Sequence, residues 1–140
     1  MKKFSFNLQK ALDIRVHREQ ECKIALGQAI GALSLLEHQV EALEQERTRI
    51  ADHFSSGFEA ADILTYDRYQ QRLAYTKTRL LKEITGAEEK VEEARDELQD
   101  ASCDRKVLDK VRETREIEYR KFQLDEDTKT LDDLFRPKLP

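Results

Sequence analysis

Apolar residues in the first half of the chain recur in alternating steps of four and three, the spacing of a single stripe along an underwound helix. Eleven of the fourteen positions in this repeat are apolar. The positions are Leu8, Leu12, Arg15, Glu19, Cys22, Leu26, Ala29, Leu33, Leu36, Val40, Leu43, Arg47, Ile50 and Phe54. The pattern predicts a long coiled-coil helix over about residues 4–54.

A second repeat of the same kind follows, with ten apolar residues among its thirteen positions. The positions are Leu80, Ile84, Ala87, Val91, Ala94, Leu98, Ala101, Arg105, Leu108, Arg112, Arg115, Tyr119 and Phe122. Between the repeats, residues 53–58 combine small polar residues with Gly57, which favours a break. We place a turn at about residues 55–63 and a second helix at about 64–135.

A short linker between two long amphipathic helices makes them antiparallel neighbours, because each apolar seam is the natural cover for the other. The predicted fold is therefore all-α, a long antiparallel two-helix coiled-coil hairpin in which residues 1–140 form a single domain. Because the second helix is the longer, its carboxyl-terminal end overhangs the first helix. Tyr119, Phe122 and Leu124 in this overhang either fray or meet another protein.

Composition supports rods rather than a layered core, since 39% of residues are charged and the chain has four glycines and two prolines. Charge is unevenly spread: residues 1–18 carry a net +4, residues 105–121 a net +3 and residues 82–100 a net −5. Charged seam positions specify register at a cost in stability. We expect Glu19 and Arg105 to pair across the seam.

Several functional classes are disfavoured. The most apolar stretch, residues 24–36, is shorter than the about 20 residues that a membrane span needs, and no signal peptide is evident. We therefore expect a cytoplasmic protein without direct membrane insertion. The glycines form no phosphate-binding loop and the histidines are too dispersed to share a metal. We expect no enzyme, no catalytic residue, no metal and no cofactor.

Two short features leave alternatives open. The basic residues of 105–121 are interleaved with acidic ones, which favours a solvated helix face over a nucleic-acid site. Gly27 and Gly31 point away from the seam, so they form either a smooth surface for a partner or a weakly constrained outer face. Tyr66, Tyr69 and Leu73 share one helix face, which suits either an interface or packing against Ile50 and Phe54.

The two ends of the chain resemble the flagellar FliJ family. Phe4-x-Phe6-x-Leu8-x-x-x-Leu12-x-x-Arg15, followed by an unbroken helix, is similar to the start of that family. The run Arg105 to Lys110 with Glu113, Glu116 and Tyr119, followed by Leu131-Asp132-Asp133, is similar to its closing segment. The chain has Asp133 where a glutamate is expected.

The resemblance implies a component of the flagellar type III export apparatus, similar to the central stalk of rotary ATPases. It implies three partners: the export ATPase hexamer, the export gate membrane protein and export chaperones. The chain would then be a monomer alone and lie at the cytoplasmic face of the inner membrane when assembled. ATPase-ring contacts are expected at Phe4, Phe6, Leu8, Leu12, Arg15, Arg112, Arg115, Tyr119 and Phe122. Gate contacts are expected at Tyr66, Tyr69 and Leu73.

Two other functions compete with this interpretation. The chain could be the corresponding stalk protein of an injectisome, which would share the rod and differ in its partner surfaces. It could also be a structural coiled coil that assembles through its seam into larger bundles. An elongated monomer in sedimentation supports the stalk, whereas an obligate tetramer supports the bundle.

Overall fold

The computed structural model describes residues 3–57 and 59–135, and it contains two long helices. Helix α1 spans Gln9–Ser55 and helix α2 spans Ala60–Phe135, with no strand in the described ranges. The fold is the predicted all-α helical hairpin. The linker is shorter than expected, because α2 begins at Ala60 rather than near residue 64.

The linker between the helices is closed by local hydrogen bonds. Gly57 has a φ of +112°, a left-handed conformation that glycine adopts without strain. The hydroxyls of Ser55 and Ser56 donate to the carbonyls of Asp52 and His53 at 2.7 and 2.8 Å, so two of the last four carbonyls of α1 are satisfied.

Helix α2 starts with one half of a capping box. The Asp62 carboxylate accepts from the backbone N–H of Glu59 at 3.3 Å, and the Asp62 N–H donates to the Glu59 carbonyl at 2.9 Å. An acidic residue in the first turn also suits the positive end of the helix dipole.

Helix α1 begins at Gln9, later than the predicted residue 4. Residues 3–6 are not helical, and the Gln9 N–H donates to the Phe6 carbonyl at 3.0 Å to open the helix. Phe4 and Phe6 are two residues apart, so an extended segment presents both rings on the same side. This spacing is the local signal that the segment is not part of the helix.

The chain divides into two compact units, and each contains a part of both helices. Unit 1 comprises residues 1–21 and 99–140, and unit 2 comprises Cys22–Leu98. In unit 1 the core is a cluster of Phe6, Leu12 and Leu108. In unit 2 the buried apolar residues are Leu80 and Val91, and half-buried aliphatic residues of α1 accompany them.

The predicted seam of α1 is covered at thirteen of its fourteen positions, and the exception is the exposed Arg47. On α2 the predicted seam is covered from Leu80 to Leu108. Beyond Leu108 the seam prediction is wrong at Arg112, Arg115 and Phe122, which are exposed. There α2 lies against the non-helical segment before Gln9, and this segment does not follow a heptad spacing.

Candidate functional site

The first candidate surface, here called the aromatic end, lies in unit 1 where the segment before α1 packs on α2. The ring of Phe4 lies 5.6 Å from that of Tyr119, measured between centroids, with the planes tilted by 50°. Phe6 is buried in the core cluster. Phe4 thus attaches the segment before α1 to α2 through an aromatic contact, and Phe6 attaches it through the core cluster with Leu108.

Leu8 and Leu12 belong to the same packing, with Leu12 buried and Leu8 half-buried. Leu12 is 3% exposed and forms the core cluster with Phe6 and Leu108, and Leu8 packs against that cluster. Phe6, Leu8 and Leu12 are among the residues expected to contact the ATPase ring. Their side chains support the surface from beneath. Truncating any of them would test folding and not contact.

The arginines of the aromatic end have different environments. Arg115 donates from Nη1 to Asn7 Oδ1 at 2.5 Å, and its guanidinium carbon lies 5.7 Å from the centroid of the Phe6 ring. Arg15 donates from Nη1 to the Asp104 carbonyl at 2.7 Å. Arg15 is half-buried and Arg115 is exposed, but both hold hydrogen bonds within unit 1, whereas Arg112 is exposed on α2 without such a bond among the residues that the structure describes. Arg112 is therefore the arginine of this set best placed to meet a partner.

A charge network fixes the register in unit 1, and it includes the predicted pair. Arg105 donates from Nε to Glu19 and from Nη1 to Asp109, the latter at 2.5 Å. Hydrogen bonds from Arg105 to Glu19 and to Asp109 raise the pKa of Arg105 above its ordinary value. Glu19 is buried although it is charged, so the helices must hold Arg105 beside it.

The end of α2 is uncovered over its last turns. Every residue from Leu124 to Phe135 is exposed, as the predicted overhang requires. Ile117, Leu124 and Leu131 are spaced by seven residues and share one face, and Phe122 is also exposed. Ile117, Leu131, Leu134 and Phe135 were not among the expected contact residues, although the seven-residue spacing could have found the first two.

An open groove runs beside the aromatic contacts, with a volume of about 530 Å³. Its walls are Lys3, Phe4, Ser5, Arg115, Glu118, Tyr119 and Phe122. The groove has an aromatic floor and charges of both signs. It suits a side chain of a partner protein better than a small metabolite, because it is shallow and cannot exclude water.

The second candidate surface, here called the tyrosine face, comprises Tyr66, Tyr69 and Leu73 in unit 2. The ring of Tyr66 lies 5.0 Å from that of Phe54, and the Tyr69 hydroxyl donates to Glu46 Oε1 at 3.2 Å. All three residues are half-buried. The structure thus confirms packing against Phe54 for Tyr66 and leaves part of each side chain accessible.

Ion pairs surround the tyrosine face. Arg49 Nη2 lies 2.6 Å from Glu46 Oε1, and hydrogen bonds from Arg49, with a smaller contribution from Tyr69, hold the pKa of Glu46 below its ordinary value. Lys77 Nζ lies 2.5 Å from Glu44 Oε1, and the Lys77 hydrogen bond likewise lowers the pKa of Glu44. Both carboxylates stay charged at neutral pH and fix polar contacts between the helices.

A hollow of about 420 Å³ adjoins the tyrosine face. Its lining includes Leu43, Gln70, Leu73 and Lys77. The amide nitrogen of Gln70 is shielded from solvent and has no hydrogen-bond acceptor among the residues that the structure describes. Helix packing is therefore locally incomplete beside Leu73.

Within residues 3–57 and 59–135, no group of three or more histidine, cysteine, aspartate or glutamate side chains is placed to hold a metal ion. Cys22 and Cys103 are free. Over the same ranges, neither helix contains a stretch that is both long and apolar enough to cross a membrane.

Three comparisons with known proteins bear on the resemblance of the two ends. The chain is similar over 94% of its length to 90% of a Chlamydia trachomatis chain described as the YscO homolog CT670, with 19% identity and a TM-score of 0.43. None of the curated proteins compared with the chain matches it. The family model described as flagellar FliJ protein matches residues 4–136. Because this match covers almost all of the sequence, the chain belongs to the flagellar FliJ family.

Proposed function

We propose that this chain acts in flagellar type III protein export as the central stalk of the export ATPase ring. Membership of the FliJ family supports a stalk-like component of type III export. The observation that carries the finer role is the aromatic end, where packed Phe4 and Tyr119 adjoin the exposed Phe122 and the uncovered last turns of α2. Exposed apolar residues on a helix without a partner are what a ring lumen would cover.

The residues of the aromatic end divide into two roles in this proposal. Phe6, Leu8 and Leu12 hold the segment before α1 in place, because they lie in or against the core cluster. Arg112 and Phe122 touch the ring, because they are exposed. Arg15 holds the backbone at Asp104, and Arg115 holds the side chain of Asn7. The positive charge of this region steers it toward acidic ring surfaces.

The direct test mixes the purified chain with the cognate export ATPase and measures hydrolysis and ring formation. The wild-type chain should stimulate both. Phe122→Ala and Arg112→Ala should each weaken binding about tenfold, the loss typical of one or two strong interface contacts. Their matched controls in unit 2 are Tyr75→Ala and Arg79→Ala, since Tyr75 and Arg79 are also exposed.

The controls should stimulate the ATPase as the wild type does, and circular dichroism should show unchanged helicity for all four variants. Absence of stimulation by the wild-type chain would remove the stalk role. Equal loss in the aromatic-end variants and their controls would show that the aromatic end is not the contact surface.

The adaptor role is assigned to the tyrosine face, which would bind the export gate membrane protein. Tyr66 and Tyr69 are half-buried and still offer ring edges and hydroxyls. Tyr66→Ala with Tyr69→Ala should weaken binding to the purified cytoplasmic part of the gate while ATPase stimulation stays intact. Tyr69→Phe is the control, because it keeps the ring and removes only the hydrogen bond to Glu46.

If ATPase stimulation falls together with gate binding, the tyrosines are structural and the gate role is lost. We further propose that residues 1–140 work as one domain, that the protein also binds export chaperones, and that it lies at the cytoplasmic face of the inner membrane. Co-sedimentation with gate-containing membranes, and its loss in the double tyrosine variant, tests that location.

A further inference from the structure

The carboxyl-terminal part of α2 carries an exposed apolar stripe. Ile117, Leu124 and Leu131 are 53%, 65% and 53% exposed. Because a spacing of seven residues returns to nearly the same side of a helix, the three side chains lie in one line. Tyr119, which packs on Phe4, is two residues from Ile117 and therefore points to nearly the opposite side. The stripe thus faces away from the segment before α1.

Charged residues beside this stripe change sign at its midpoint, Leu124. Two cations, Arg120 and Lys121, precede Leu124, and the three residues 125–127 that follow it are all acidic. Residues 124–135 as a whole contain five acidic side chains and one basic side chain, a net charge of −4. The amino-terminal half of the stripe is therefore flanked by cations and the carboxyl-terminal half by carboxylates.

Most of these charges are not neutralised locally. In the part of the chain that the structure describes, Lys121 and the acidic residues 125–127 form no ion pair. Arg120 pairs with Glu116 at 3.0 Å on the exposed surface. Lys121 and Asp125 are four positions apart, but a lysine that precedes an acid is the poorer orientation for pairing along a helix. Charges of both signs thus remain available to a partner.

We propose that this stripe with its flanking charges, here called the overhang face, binds the same face of a second copy of the chain. The two helices would run antiparallel, with Leu124 on the two-fold axis. Leu124 then meets its own counterpart, Ile117 meets Leu131 of the other copy, and Lys121 lies beside Asp125 of the other copy. An isologous contact requires such self-complementarity, and here both the apolar spacing and the order of charges have it.

The order of charges identifies both the occupant and its direction. A parallel copy would place the acidic residues 125–127 against themselves, and like charges at close range repel. An antiparallel copy places them against Arg120 and Lys121 instead. A partner surface of uniform charge would match only one half of the overhang face. A second antiparallel copy matches both halves at once, because each copy supplies the charges that the other lacks.

The contact is short and should be weak. From Ile117 to Leu131 the overhang face is about 21 Å long at 1.5 Å per residue, which is small for a stable interface. One like-charge approach also remains, because Asp132 comes near Glu116 and Glu118 of the other copy. The pair should therefore form and separate with concentration, which departs from the monomer expected from the sequence.

Pairing would regulate the proposed ring contact, and this consequence alone rests on the proposed export role. The exposed Phe122 and the uncovered last turns of α2 are the surface assigned to the ring. A second copy held at Leu124 covers the same turns, so a paired chain cannot enter a ring lumen. The ring and a second copy therefore compete for one surface, and abundant free protein is held away from other partners.

Sedimentation equilibrium of the full chain tests the pairing. The wild-type chain should shift from 16.4 kDa toward twice that mass as concentration rises. Leu124→Glu should weaken the association at least tenfold, because it places two carboxylates on the two-fold axis. Leu35→Glu is the matched control, since Leu35 is 61% exposed in unit 2, and it should change the association little. Circular dichroism should show unchanged helicity for both variants.

A charge exchange tests the direction of the two helices. Lys121→Glu and Asp125→Lys should each lose the self-association, because each creates two like-charge contacts across the axis. An equal mixture of the two variants should regain it, since Glu and Lys then face each other at one site and Lys and Asp at the other. Both new residues favour helix, so loss of folding does not explain the single losses.

Cysteine cross-linking tests the register, in a background with Cys22→Ala and Cys103→Ser. Leu124→Cys should give a disulfide-linked dimer under mild oxidation. Ile117→Cys and Leu131→Cys should cross-link poorly alone and readily when mixed with each other. Equal self-linking by all three variants would indicate a parallel pair and overturn the proposal.

Two further results would overturn the pairing. One is a wild-type chain that stays at the monomer mass at all concentrations and gives no Leu124→Cys dimer. The other is a strictly monomeric chain in which Leu124→Glu, but not Leu35→Glu, abolishes binding to the export ATPase, which would assign the overhang face to the ring alone. A chain that pairs but does not stimulate the ATPase would support the pairing and remove the competition with a ring.

Discussion

In both compact units α1 packs against α2, but the side chains that hold the two helices together differ. Unit 1 combines a small core of Phe6, Leu12 and Leu108 with the buried Glu19 that contacts Arg105. Unit 2 relies on the buried Leu80 and Val91, on half-buried aliphatic residues and on partly exposed ion pairs such as Glu44 with Lys77. A buried charge accepts few alternative partners, whereas an aliphatic seam accepts many. Unit 1 therefore specifies the register, and unit 2 contributes further contact between the two helices.

The largest expected effect comes from the core of unit 1. Leu12→Ala removes a side chain that is 3% exposed and should lower the free energy of unfolding by about 2–5 kcal/mol. Ile14→Ala is the control, because Ile14 is 69% exposed and should cost less than about 0.5 kcal/mol. Urea unfolding followed by circular dichroism measures both. Similar costs would contradict a localised core.

The second-largest expected effect is that of a charge swap on the melting temperature, and it should differ between the two units. Glu19→Arg and Arg105→Glu should each lower the melting temperature clearly. The double swap should recover part of the loss, because the buried pair is restored in reverse while Asp109 then faces a carboxylate instead of a guanidinium. The matching swap of Glu44 and Lys77 should have little effect singly or together, since their side chains are 40% and 37% exposed. Strong coupling in unit 2 would remove the contrast.

The smallest effect is a pH dependence in unit 2. The hydrogen bond from Lys77 lowers the folded-state pKa of Glu44 from 4.5, so its contribution is present above pH 4.5 and is lost as pH falls through the lowered value. The melting temperature of Glu44→Gln should therefore fall less than that of the wild type between pH 5 and pH 3. An identical fall in both would show that this pair does not contribute.

The raised pKa of Arg105 has the opposite sign and a different window. Its contribution to stability is complete below the ordinary pKa of an arginine side chain and is lost only as pH rises through the raised folded-state pKa of Arg105. The Arg105 guanidinium thus stays charged throughout the range of ordinary buffers. Acid titration should report on the carboxylates, such as Glu44 in unit 2, and not on this group.

Heptad spacing predicted most of the fold because both helices bury a narrow stripe. It placed the seam of α1 and the contact of Glu19 with Arg105, and the structure confirms both. It failed after Leu108, where α2 packs against a segment that is not a helix. Coiled-coil periodicity carries no information about such a segment, and the helix was therefore predicted from about residue 4, although the spacing of two between Phe4 and Phe6 could have indicated the break.

The candidate surfaces were less predictable than the fold. The family resemblance suggested that Leu8 and Leu12 would touch a partner. Apolar residues at an end serve equally well as local core, and the structure places Leu12 in the core cluster and Leu8 against it. Exposure, not composition, distinguishes Phe122 from Phe6. Exposure depends on which segment folds back over α2, and the local sequence of α2 does not encode that.

The short linker around Gly57 has a consequence for the order in which the hairpin forms. Tyr69 and Glu46 are 23 positions apart in the chain, whereas Arg115 and Asn7 are 108 positions apart. Closing a longer loop costs more chain entropy, so contacts beside the linker should form first and those of the aromatic end last. By the same reasoning the aromatic end is the first part of the hairpin to open. A partner that docks there would stabilise the contacts that the chain alone forms last.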